Sequence, residues 1–153
     1  MLFSAVSRDS QRGKRENARP VVLYDGVCGL CDRVVQFLLK QDHHHKLTFS
    51  PLQSATARKI VSSHPAVKSD CETIVFARED RAGKYVISQR SEAVIEIFTH
   101  VGGFWSVFSV LRILPLFVRD RMYDWIANNR YKWFGRLEEC RRPKAEEKGR
   151  FLP

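Results

Sequence analysis

The stretch V-V-L-Y-D-G-V-C-G-L-C-D, residues 21–32, decides how the rest of the chain is read. Val21 to Tyr24 is a short β-branched and apolar run, the pattern of a strand. Asp25-Gly26 breaks it. Beyond Cys28 the apolar period turns helical, with Cys31, Val34, Val35 and Leu38 at i, i+3, i+4 and i+7. Cys28 therefore falls at a helix N-terminus, and Cys31 lies one turn in on the same face. Unpaired backbone N–H groups and the positive end of the helix dipole favour a thiolate there, so the pKa of Cys28 is expected to fall. A larger thiolate fraction near neutral pH makes a better nucleophile for disulfide exchange.

The bulk properties fit one folded domain. A chain of 153 residues can bury a core without disulfide staples, and 44% hydrophobic content argues against disorder. Four cysteines are too few for a disulfide scaffold, and only Cys28 and Cys31 are closely spaced. That usage suits a reducing compartment, so the expected location is cytoplasmic. Residues 1–19 hold five Lys/Arg against Asp9 and Glu16 and are read as a disordered basic extension, with organelle targeting as an alternative. No apolar run reaches the roughly 18 residues of a spanning helix, so the chain is expected to be soluble. The net charge of +9 lies largely at the two ends and reads as solvated basic segments. No nucleic-acid motif accompanies it, and peripheral contact with an anionic membrane is the weaker alternative. The oligomeric state is not readable.

Further elements follow in order. Residues 46–50 predict a second strand, 54–63 a helix capped by Ser54, 73–77 a third strand, and 84–88 its hairpin partner after the turn at 79–83. Ser91 is the expected N-cap of the next helix, whose apolar face is Ala93, Val94, Ile97 and Phe98 and which Gly102-Gly103 ends. Residues 104–114 predict another apolar helix. Pro115 opens a last one, with Val118, Met122, Trp125, Ile126 and Asn129 on one face. Tyr131, Trp133 and Phe134 are expected in the core, and residues 141–153 as a flexible basic tail. The domain is thus placed at 20–140.

This β-α-β-α-β-β-α order resembles thioredoxin, an α/β fold with a four-stranded mixed sheet and helices on both faces, here with additional C-terminal helices. A Cys-x-x-Cys after the first strand of such a pattern reads as a redox motif. Cys28 is then the attacking and Cys31 the resolving thiol, with no cofactor beyond the dithiol. Thioredoxins keep a buried carboxylate beneath theirs. Asp25 is placed for that proton-relay role or, structurally, for an Asx-turn on the N–H groups of Gly26 to Cys28. Gly26 and Gly29 suit a tight turn and close substrate approach. Thioredoxins also carry a cis-proline before the third strand. Here the stretch is Asp70-Cys71-Glu72-Thr73, where substrate backbone could pair near Thr73 and Cys71 is either close to the site or a small buried hydrophobe. Arg90 and Ser91 stand where glutaredoxins hold the glutathione carboxylate, against the alternative of an ordinary cap. Zinc would want four ligands, and His43-His44-His45 lie at the far end of the first helix, so no metal is expected.

Taken together, these residues resemble the DCC family of predicted thiol-disulfide oxidoreductases, whose signature is Asp-x-x-Cys-x-x-Cys. The matches are Asp25, Cys28 and Cys31, then F-S-P-L-Q-S at 49–54, R-S-E-A at 90–93, N-R-Y-K-W-F-G-R at 129–136 with Cys140, and the closing R-F-L-P. The resemblance covers residues 21–153. It implies a thioredoxin-like fold and a redox role on protein or low-molecular-weight disulfides, with glutathione or a thioredoxin-type dithiol as donor. A non-catalytic binding module of the same shape and a metal-binding dithiol are the competing readings.

Overall fold

The computed structural model describes residues 19–67 and 73–153. The expected extension up to residue 18, and Cys71 with its neighbours, lie outside the described residues. Four strands form one mixed sheet in the order β2-β1-β3-β4. These are β1 (Val21–Tyr24), β2 (Thr48–Pro51), β3 (Val75–Glu79) and β4 (Tyr85–Gln89). The helices are α1 (Gly29–Gln41), α2 (Ala55–Ser62), α3 (Arg90–Val101) and α4 (Leu116–Phe134). This is the thioredoxin-like α/β arrangement. β1 runs parallel to β2, with α1 as the crossover, and antiparallel to β3. β3 and β4 form the hairpin, whose turn is tied by Asp80 accepting from the Ala82 and Lys84 N–H groups.

Every residue of β1 is buried because both faces of the sheet are covered. Alternation along the strand sends Val22 and Tyr24 to one side, where they pack with Val35, Leu38, Phe49, Phe76 and Ile97 beneath α1 and α3. Val21 and Leu23 go to the other side, with Ala57 and Ile60 of α2. Cys28 and Cys31 belong to the first of these layers. The end of β1 therefore delivers the dithiol into the larger core.

The C-terminal third departs from its pattern in three ways. Residues 103–113 form a 3-10 run with no buried residue, rather than an α-helix. α4 turns Met122, Trp125 and Ile126 of its expected apolar face outward, and Trp133, expected in the core, is exposed as well. The segment expected to be a flexible tail is docked instead. Phe151 bridges Phe49 on the free edge of β2, the Leu152 N–H donates to the Phe49 carbonyl at 2.8 Å, and Arg150 is buried on Asp42 at 2.5 Å. The charged composition of 141–153 hides this because the docking rests on Arg150 and the closing Phe151-Leu152-Pro153. Arg150 finds a buried carboxylate at the end of α1 and also donates to the Leu39 and Leu47 carbonyls.

Candidate active site

Asp25 follows the last residue of β1, and the turn after it brings Cys28 to the N-cap of α1 in an extended conformation (φ −86°, ψ 119°). An N-cap side chain faces the free N–H groups of the first turn. The Cys28 sulfur accordingly accepts from the Cys31 N–H at 3.5 Å. The Cys31 thiol also points at it, and its hydrogen bond is the largest influence that pushes the Cys28 pKa down to about 6; the Leu30 and Cys31 N–H groups and the Arg130 charge help, and burial opposes. Cys31 moves the other way, pushed up because it donates to Cys28, is buried and faces the Cys28 charge. The two thiols titrate as a unit, in which the first proton leaves easily and the second is held. Alkylation of Cys28 should therefore rise as pH climbs through about 6 and then level off. In Cys31→Ala the same rise should shift toward about 8.5, the ordinary thiol value. An unshifted iodoacetamide rate profile in that variant would refute the assignment.

Asp25 is 5% exposed and accepts four hydrogen bonds. One oxygen takes the Val27 N–H at 3.1 Å and the Gln53 amide at 3.3 Å. The other takes the Arg130 guanidinium at 3.4 Å and the Tyr131 hydroxyl. The Val27 bond is the expected Asx-turn. The rest is an ion pair with an arginine that is itself 2% exposed and also donates to the Tyr131 hydroxyl at 3.1 Å. Arg130, which this carboxylate holds, is one of the influences that lower both cysteine pKa values. Burial of such a pair is sustained only when the remaining donors and acceptors are met, and the Asp25 oxygens meet that condition.

Three features were not legible in advance. The first is coverage. Cys28, the expected attacking thiol, is fully buried while Cys31 keeps 9% exposure. The chain leaving α4 lies across it: Cys28 bridges Arg136, the Leu137 N–H donates to the Val27 carbonyl at 2.7 Å, and the Gly29 N–H donates to the Gly135 carbonyl at 3.3 Å. A side chain at Gly29 would collide with the Phe134 carbonyl, and a Cβ at Gly26 would come within 2.5 Å of the Cys140 sulfur. The two glycines thus admit the protein's own C-terminal strap. The second is Tyr123 of α4, whose hydroxyl accepts from the Thr73 hydroxyl at 2.8 Å and the Ile74 N–H at 3.0 Å. That is where substrate backbone was expected. The third is Cys140, which lies against Tyr24 beside the turn.

Arg90 and Ser91 are engaged by α4. The Ser91 hydroxyl donates to Asp120, Arg90 pairs with Asp124 at 3.6 Å, and the N-cap of α3 is Gln89 rather than Ser91. Among the described residues, no three His, Cys, Asp or Glu side chains gather as a metal site requires.

A sheet ordered β2-β1-β3-β4 with a Cys-x-x-Cys at the start of its first helix defines a thioredoxin-like dithiol protein. More narrowly, the chain belongs to the DCC1-like thiol-disulfide oxidoreductase family, whose model matches residues 22–136. It is 38% identical over 133 residues to the uncharacterized protein YuxK of Bacillus subtilis (strain 168), covering 87% of this chain and 93% of that one. It is 36% identical over 126 residues to a chloroplastic DCC family protein of Arabidopsis thaliana, covering 82% and 70%. No solved structure matches it. The residues around Asp25 come from separate stretches of the sequence signature. Gln53 belongs to F-S-P-L-Q-S, and Arg130 and Tyr131 to N-R-Y-K-W-F-G-R.

Proposed function

We propose that the protein is a dithiol oxidoreductase in which Cys28 attacks a disulfide and Cys31 resolves the adduct. The observation that carries this reading is the Cys28 sulfur at the N-cap of α1, accepting from Cys31 and lying within the field of Arg130. The Cys28 thiolate forms a bond to one substrate sulfur as the substrate S–S bond breaks, releasing the first thiolate. That thiolate takes up the Cys31 proton. Cys31 then bonds to Cys28 and expels the second substrate thiolate, which is protonated from solvent. Two electrons pass to the substrate, leaving a Cys28–Cys31 disulfide that glutathione or a thioredoxin-type dithiol would reduce again.

Burial of Cys28 under residues 134–137 adds an access step before attack. Asp25, Arg130, Gln53 and Tyr131 serve as positioning residues. The substrates that fit are disulfides of proteins or small molecules, in a compartment that keeps Cys140 reduced. Turnover of an insulin-type disulfide with a thiol donor tests the reading. Cys28→Ser and Cys31→Ser should each fall to the rate of the donor alone, and full activity in both would sink it.

A further inference from the structure

A helix laid on a core turns its apolar side inward, and α4 does so with only part of its apolar surface. Tyr123 and Tyr131 pack toward the core, and Arg130 reaches the site. Met122, Trp125, Ile126 and Trp133, at i, i+3, i+4 and i+11, form a second stripe facing away, with Trp125 61% exposed. The Trp125 and Trp133 rings meet edge to face with centroids 5.0 Å apart, so the stripe is continuous across two turns. The chain leading into α4 is apolar and exposed as well. Residues 110–117 are all exposed, with Ile113 at 81% and Phe117 at 76%, and Arg112 is their sole charge. Two exposed apolar segments that follow one another along a folded chain mark an interaction site.

Its charged margin is basic. Arg121 and Lys132, eleven residues apart on one shoulder of the stripe, are both exposed. Glu92 alone answers two arginines, Arg112 at 3.1 Å and Arg119 at 2.9 Å. The acids of α4, Asp120 and Asp124, are taken by Ser91 and Arg90. The whole chain carries +9. Apolar and tryptophan side chains beside a basic shoulder match the layering of an interfacial helix on an anionic bilayer. A second copy of the chain carries the same positive charge and the same basic margin, so it offers this face no complementary charge. Among the described residues no helix is long and apolar enough to cross a membrane, so the contact is peripheral.

We infer that the outer face of α4 and the 110–117 segment seat the protein on an anionic lipid surface. The buried side of the same helix carries Arg130 and Tyr131, so the site residues lie away from the lipid-facing side.

Cosedimentation of the full chain with phosphatidylcholine vesicles, with and without phosphatidylglycerol, tests this. Binding should be about tenfold or more tighter to the anionic vesicles, weaken with added salt, and shift tryptophan emission to the blue. Phe117→Asp should lower it about tenfold, and Ile113→Asp is the second probe should the first fail to fold. Four results would each overturn the inference: no binding, equal binding to both vesicles, binding undiminished by either substitution, or a concentration-dependent dimer that Phe117→Asp disperses.

Discussion

Arg130→Met is expected to lower the free energy of unfolding by about 3–5 kcal/mol, because it strands a buried carboxylate without its counter-charge. Asp25 would keep the Val27, Gln53 and Tyr131 donors, but none of these carries the cation's charge. Against a total stability of about 5–15 kcal/mol this is a large share, equivalent to roughly 10 °C in Tm for a chain of this size. Urea denaturation measures it directly. The double variant Asp25→Asn with Arg130→Met should be less destabilised than the sum of the two single changes, since each single change leaves one member of the pair uncompensated. Arg130→Met should also raise the Cys28 pKa, because the guanidinium charge is one of the influences holding it down. A loss under about 1 kcal/mol, the range of an exposed ion pair, would mean that the pair is not the buried keystone of the turn.

The second large effect concerns access. With Cys28 fully buried beneath residues 134–137, its alkylation must wait for the strap to lift, so the rate carries the population of the open form. Leu137→Pro removes the N–H that donates to the Val27 carbonyl and should raise that population about tenfold, the equivalent of 1.4 kcal/mol. Iodoacetamide should then modify Cys28 about ten times faster in Leu137→Pro, while Leu137→Ala, which keeps the N–H, changes little. Equal rates in all three proteins would show that the strap does not limit entry. Gly135, at φ +74°, is where the chain leaves α4 to cross the dithiol, a conformation glycine adopts without strain.

Local periodicity made the front of the molecule readable. The β1 run, the break at Asp25-Gly26 and the helical period through Leu38 depend on neighbours a few residues apart, and β3, β4 and α3 are of the same kind. The structure shifts β2 from 46–50 to Thr48–Pro51, and β3 and β4 by a residue or two, without changing their order. What escaped is made of contacts across fifty to more than a hundred residues. Arg130 reaches Asp25, residue 136 bridges Cys28, and Arg150 closes on Asp42. An arginine in a basic stretch looks like solvated charge until its carboxylate partner is known. α4 misled for a related reason. It has apolar residues on two faces, so periodicity found a stripe, but composition alone does not say which stripe packs.

Mixed-disulfide trapping on Cys31→Ser tests the central claim most directly. With the resolving thiol gone, incubation with an oxidised low-molecular-weight disulfide should stall at a covalent adduct. Peptide mass mapping should place that adduct on Cys28, and Cys28→Ser should form none at Cys31 under the same conditions. An adduct on Cys31 of the Cys28→Ser protein at comparable rate, or none on Cys28 in Cys31→Ser, would contradict the assignment of Cys28 as the attacking thiol.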